Sequence, residues 1–245
     1  MRKRLFTTVA LAGLLAAAWG VTTNGATARG CSVSGAETIS QTETARVLAT
    51  RPHTSGGLEV RTVYACAFNS GELVKLGRDR AFQDEGGGPA QQRLEAIALD
   101  ELPGAAGDAV AFSVQRCPED TTDDAACTAD VRVRSLSSGK QVAYAAAGSR
   151  VWTIVVRAPY EAAFISERSD GTVEVHRLLR QDDRVVDTGT GQQIDVGSLA
   201  APEGWRNVSG GDGLPGLDFF WQTDAGPRSA SMKCGFSGNP ACPVP

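Results

Sequence analysis

The chain has 245 residues, of which 42% are hydrophobic and 21% charged, and a formal net charge of −4. Its length suffices for one domain with a sizeable core. Its acidic balance argues against a nucleic-acid binder, which needs a basic stripe to neutralise phosphates, and it lacks the basic amphipathic helix of a membrane-surface protein.

Arg2, Lys3 and Arg4 open the chain, residues 5–21 follow without a charge, and Ala26-Thr27-Ala28 precedes Arg29. A basic end, an apolar run and an A-x-A site are the three parts of a secretory signal peptide. The basic end stays cytoplasmic, the apolar run partitions into the membrane, and small residues fit the peptidase. The run is 17 residues long, short of the roughly 20 that a spanning helix needs. We therefore expect a signal peptide over 1–28 and a single disulfide-stabilised β domain over 29–245. That domain is expected to be secreted or held in the cell envelope, with no stable membrane insertion after cleavage. Cys31 follows the run closely, but Arg29 argues against a lipidation box. Cleavage removes three positive charges and no negative ones, leaving 21 basic against 28 acidic side chains and a net of −7.

All six cysteines (Cys31, Cys66, Cys117, Cys127, Cys234 and Cys242) follow that segment. An even number in an exported chain reads as a disulfide framework. No close C-x-x-C pair suggests zinc. Three local bridges are the simplest arrangement: Cys31–Cys66, Cys117–Cys127 and Cys234–Cys242. Cys117 and Cys127 flank a loop between strands that run out (AFSVQRC) and back (CTADVRV), where opposed residues are close enough to bond. The pairing of the other four stays open.

Along the mature chain, short alternating runs are separated by Gly, Asp, Ser and Pro, the pattern of an all-β domain. Only residues 90–102 approach a helical period. Residues 63–74 align without gaps with 131–142, sharing Val63/Val131, Ser70/Ser138, Gly71/Gly139 and Val74/Val142. A third copy begins at Val173 and keeps Leu178, with its turn placed at Asp182-Asp183. In all three copies the apolar residue at the sixth position falls on the face opposite the first and third. That shift predicts a bulge or strand end followed by a tight turn. The preceding segments recur too: residues 109–113 (AVAFS) match 161–165 (EAAFI), and a fourth version is Gly216–Trp221. Ser169-Asp170-Gly171 is a hairpin loop.

Periods of about 40–50 residues with several strands each are those of propeller blades. The repeats resemble β-propeller blades of the WD40-like or YVTN-like kind, and those of uncharacterised exported proteins from high-GC bacteria. The scarcity of Lys (Lys3, Lys75, Lys140, Lys233) among 24 basic residues suits such a genome. The resemblance implies a small β-propeller-like array of about four blades, near 42–77, 93–146, 150–187 and 193–235. The N-terminal strand near Ala36 would complete the last blade. A β-sandwich is the alternative. Signature residues of WD40 repeats and of the sialidase Asp box are absent, so the resemblance implies a fold and no activity.

Chemistry is sparse. His53 and His176 are the only histidines; both are expected to be exposed polar residues. No G-x-S-x-G elbow or phosphate loop is present. Gly86-Gly87-Gly88 reads as a linker, and residues 119–124 (EDTTDD) as a solvated tip without the D-x-[DN]-x-[DN]-G calcium pattern. No catalytic residue, cofactor or metal ligand is assigned. Trp152 and Trp221 suit the core. Trp205 beside Arg206, in a Gly/Pro-rich loop, is the candidate ligand contact. The reading that follows is an exported, non-enzymatic binding module for an envelope polymer, a protein or a small ligand. The alternatives are a glycoside hydrolase using paired carboxylates such as Asp108, Glu161 and Asp218, and a structural envelope protein.

Overall fold

Runs of small and β-branched apolar residues, cut by Gly, Asp and Ser, become antiparallel strands. The computed structural model describes residues 30–55, 58–82, 92–99, 109–118, 124–157, 161–180, 182–200 and 218–231. In chain order the strands are β1 (Ala36–Gln41), β2 (Ala45–Thr50), β3 (His53–Ser55), β4 (Leu58–Ala67), β5 (Leu73–Phe82), β6 (Gln92–Leu99), β7 (Ala109–Arg116), β8 (Thr128–Ser135) and β9 (Gln141–Ala146). They continue with β10 (Arg150–Arg157), β11 (Glu161–Glu167), β12 (Thr172–Leu179), β13 (Asp182–Thr190), β14 (Asp218–Thr223) and β15 (Gly226–Ser231). A 3-10 turn, Asp124–Ala126, precedes β8. No helix among the described residues is long and apolar enough to cross a membrane.

Pairing follows the chain. A nine-stranded sheet runs β1-β2-β4-β5-β6-β7-β8-β9 with β3 beside β4, β10–β13 form a four-stranded sheet, and β14–β15 form a hairpin. β5 and β6 share a single residue pair, Arg80↔Gln92. The large sheet is thus two meanders, β1-β2-β4-β5 and β6–β9, joined in the ladder by that one pair among the described residues, and β10–β13 is a third of the same form. The sheets stay open among the described residues.

Two cores lie between successive meanders and a third between the last meander and the β14–β15 hairpin. Val47, Val63, Ala65 and Leu76 from the first pack with Leu94, Phe112 and Leu136 from the second. Val131, Val133 and Ala145 from the second pack with Val151, Ile154, Phe164 and Leu178 from the third. Ile165, Val173 and Val175 then pack with Ile194, Phe219 and Trp221. The second and third meanders therefore contribute to a core on each face, most completely at their second strands, β7 and β11, which are buried along nearly their whole length and mostly apolar.

The repeated spacing has a clear structural meaning. Val63, Val131 and Val173 occupy the third strand of their meanders and enter the first, second and third cores in turn. Leu136 and Leu178, at the sixth position, point instead into the preceding core. The register between third and fourth strands shifts at Val63/Tyr64, Val133/Arg134 and Val175/His176. First and second strands shift as well, at Thr38/Ser40, Leu94/Ile97 and Val151/Thr153. The central pairs, β2–β4, β7–β8 and β11–β12, run without a shift. After the third strand, Gly71 and Gly139 take φ of 68° and 67°. Each donates its N–H four residues back, to the Ala67 and Ser135 carbonyls at 2.9 Å. This left-handed position is open to glycine at little steric cost.

Several expectations are corrected. Residues 36–41 pair with β2 inside the first meander and complete no distant unit. Residues 92–99 form a strand. Asp182 and Asp183 lie on β13, and the turn before them is made at Arg180, with φ of 56°. The 109–113 and 161–165 segments align two residues out of step. Ala111 pairs with Val133 and Ile165 with Val175, so Ala111 corresponds to Ile165 rather than to Ala163.

Cys31–Cys66 and Cys117–Cys127 are bonded, with Cα atoms 5.6 and 4.2 Å apart. The second bridge continues the β7–β8 ladder one step past Arg116↔Thr128. Cys234 and Cys242 lie outside the described residues. The last hairpin is tied to the third meander through Asp187, which accepts from the Trp221 indole at 2.7 Å and from Arg228 at 2.9 Å.

Candidate functional site

Where β5 and β6 diverge, an open cleft of about 360 Å³ forms, lined by Pro52, Glu59 and Arg61, by Asp79 and Arg80, and by residues 92–95 of β6. Strand edges that separate leave backbone groups unpaired, and side chains fill the gap. Asp79 accepts from the Leu94 N–H and from the Arg61 guanidinium, both at 2.5 Å. The Gln92 amide donates to the Arg78 carbonyl at 2.7 Å, and Arg134 donates to the Lys75 carbonyl at 2.8 Å. These contacts occupy part of the strand edges and leave a cleft lined mainly by charged side chains among the described residues. Among the described residues, Glu59 and Arg80 have no ion-pair partner.

Glu95 borders the third meander. Burial pushes its carboxyl above the ordinary glutamate range, Asp124 adds to that push, and Arg150 and Arg93 pull against it. Arg150 in turn stacks 3.8 Å above the Trp152 ring and lies 3.5 Å from Asp124. The Trp152 indole donates to Glu167 at 3.1 Å. Trp152, expected in the core, is 37% exposed. The bulge at Val151/Thr153 sends Val151 and Ile154 inward together and turns Trp152 outward.

A second cluster sits inside the third meander. Ser166 Oγ is 3.0 Å from His176 Nε2, and His176 Nδ1 is 3.0 Å from Asp183 Oδ1. The order is that of a hydrolytic triad. However, Ser166 is 0% and His176 3% exposed, so no substrate carbonyl can reach the hydroxyl. The imidazole lies parallel to the Phe164 ring, with centroids 4.3 Å apart. Glu174 approaches it at 3.3 Å. The network clasps β11, β12 and β13. His176, expected to be exposed, is buried because the face opposite Val173 and Val175 also packs on a neighbouring meander. His53, on β3, is exposed as expected.

Trp205, Arg206 and Asp108 lie outside the described residues. Glu161 opens β11 and is not among the cleft's lining residues, and Asp218 opens β14. Cys117, Asp124 and Cys127 gather closely enough to resemble a metal site, but both sulfurs are spent in the disulfide and no thiolate is available to a cation. The cleft residues carry no motif. They are brought together by the separation of β5 from β6, which no local pattern signals. The Ser166–His176–Asp183 clasp was readable in principle: the Asp170-Gly171 turn fixes the register Ser166↔Glu174, which sets Ser166 and His176 diagonally on one face. No protein-family model matches the chain, and no curated protein is significantly similar to it.

Proposed function

We propose that the protein is an exported, non-enzymatic binding module, a small propeller-like array of stacked meanders that holds its ligand in the cleft between the first two. The leader at 1–28, the disulfides and the absence of free thiols among the described residues fit life outside the reducing cytoplasm. Shared cores between successive four-stranded units favour the propeller reading over a sandwich, whose two sheets enclose a single core. The observation that carries the function is the open cleft, with Glu59 and Arg80 facing it free of ion pairs among the described residues. Polar side chains left uncommitted in a concave site are those a ligand can engage.

The test is isothermal titration of the full-length oxidised chain and its Arg80→Gln variant against envelope-polymer fragments and small polar metabolites. Binding by the wild type, weakened about tenfold in Arg80→Gln, is expected; loss of one charge-assisted contact is worth about that much. A variant that binds as well as the wild type places the ligand elsewhere.

A second reading, glycoside hydrolysis, is favoured by one observation. Glu95, held above the usual carboxylate range, shares the cleft with Glu59 and Asp79, as a general acid and its partner base would. Turnover of a glycan that vanishes in Glu95→Gln while binding persists would establish it in place of the non-enzymatic reading.

A further inference from the structure

We infer that the ligand of this cleft is a short, uncharged, hydroxyl-rich segment, a neutral oligosaccharide, with Trp152 as a stacking platform near the Glu95 end of the cleft. The inference rests on the binding reading above and names its ligand class.

Charge is the first argument. The lining sets Arg61, Arg80 and Arg93 against Glu59, Asp79 and Glu95. A polyanion would gain from the guanidinium groups and be repelled by the carboxylates, and a polycation the reverse. A sugar hydroxyl both donates and accepts, so it can satisfy a carboxylate and a guanidinium side by side without bringing charge into the cleft.

Apolar content is the second. Among the described residues Pro52 and Leu94 are the apolar side chains of the lining, and Leu94 belongs to the first core, 5% exposed. The rest of the described lining is charged or amide side chains, whose carbon stems supply apolar surface beside polar tips, the mixture that a sugar's C–H faces and hydroxyls match. The cleft's volume of about 360 Å³ lies at the low end of the roughly 300–1,000 Å³ typical of small-ligand sites. It suits a few sugar units rather than a macromolecular face.

Trp152 is the third. Glu167 holds its indole N–H and Arg150 covers one face of the ring, yet over a third of the residue remains open. Arg150, stacked on that ring, is also the first of the cations acting on Glu95, and β10 packs against β6, so the ring belongs to the same neighbourhood as the Glu95 end of the cleft. An aromatic ring already fixed in place loses little entropy when a sugar's C–H face stacks on it.

The experiment is titration of the full-length oxidised chain with neutral gluco-, manno- and galacto-oligosaccharides of four to six units, with oligogalacturonate, and with uncharged peptides, at low and high salt. At least one neutral sugar is expected to bind, with an affinity that changes less than about twofold on raising salt, since no ligand charge is screened. Glu59→Gln and Arg80→Gln are each expected to weaken it about tenfold. Trp152→Ala should weaken it similarly, and Trp152→Phe less, with thermal midpoints near that of the wild type. Preferred binding of oligogalacturonate, collapsing with salt, would overturn the neutral-sugar assignment and leave the binding reading intact; so would preferred binding of peptide. Neutral-sugar binding untouched by all four variants would remove the ligand from the cleft. No binding by any probe would sink the binding reading itself.

Discussion

Two glycines with nearly the same backbone angle separate strain from collision. Gly148 has φ of 72° and Gly171 φ of 81°. A Cβ on Gly148 would lie 2.5 Å from the Glu167 carbonyl oxygen, whereas one on Gly171 meets nothing within 4 Å. Gly148 sits in a turn whose carbonyl accepts from the Ala129 N–H at 2.8 Å, and Ser149 donates to that same Glu167 carbonyl. The backbone there cannot retreat without breaking ladder contacts to two strands. Gly171→Ala is expected to cost about 1 kcal/mol, the left-handed penalty alone, and Gly148→Ala about 2 kcal/mol or more. Urea midpoints of the two variants check this, and equal losses would show that the Gly148 turn yields freely. Glu95 makes a pH-dependent case. Its folded carboxyl titrates above its unfolded value, so the folded state binds more protons across that window. Stability therefore falls as pH rises from about 4.3, the ordinary glutamate value, through the folded pKa. Glu95→Gln removes the partly buried charge, and loses the attraction of Arg150 and a half-exposed pair with Arg93 at 3.7 Å, which together are outweighed by burial. It is expected to raise stability at pH 7 by on the order of 0.5 kcal/mol. The gain should disappear below about pH 4. A gain that persists into acid would mean that packing, not ionisation, is responsible.

The β7–β8 hairpin shows what a local staple does. Its strands pair over eight positions without a shift, and the Cys117–Cys127 bridge closes the loop end over a separation of 10 residues. Chain-entropy reasoning gives about 2–3 kcal/mol for a loop of that length. The Cys117→Ser/Cys127→Ser double variant, with Cys31–Cys66 intact, should lose about that much in urea. Added hydrogen exchange should be confined to the loop end of the hairpin. An unchanged midpoint would mean that the unfolded chain gains nothing from release. The same hairpin was visible in the sequence because AFSVQRC and CTADVRV mirror each other across a polar gap. The Ser-Gly turns at Gly71 and Gly139 were visible for a similar reason: only a few residue types suit that conformation. β6 was less legible for a reason its bulge supplies. The shift at Leu94/Ile97 puts Leu94 and Ile97 on the same core face, so apolar residues recur three apart, as on a helix. Trp152 was misread through the same device one meander later. A bulge changes which side chains face inward without changing composition, and period-two reasoning carries straight through it to the wrong face. The cleft lay beyond such reasoning altogether, because its residues come from three strands whose separation is set by the packing of whole meanders.

Val63, Val131 and Val173 have equivalent surroundings in three successive meanders. Each occupies the same place on a third strand, and each enters a core completed by the segment that follows, the next meander for Val63 and Val131 and the last hairpin with Ile194 for Val173. Among the described residues each core draws on two neighbouring units, so a single meander is expected not to fold alone. Stability then resides in nearest-neighbour interfaces, as in repeat proteins. Phe164 tests this directly. It is fully buried, contributes to the second core, and stacks on His176 inside the clasp that joins β11 to β13. Phe164→Ala removes a ring from the junction and is expected to cost about 3–5 kcal/mol. The loss should be felt on both sides of the junction. Hydrogen exchange is expected to accelerate in β7 and β8 as well as in β11 and β12, while tryptophan fluorescence and far-UV circular dichroism report one shared transition in urea. After the leader, fluorescence reports on Trp152, Trp205 and Trp221, all in the later part of the chain, whereas circular dichroism averages all strands, so the two signals separate if the meanders unfold independently. Two resolved transitions, with β7 and β8 keeping wild-type protection, would show that the second meander is held by something other than its interface with the third.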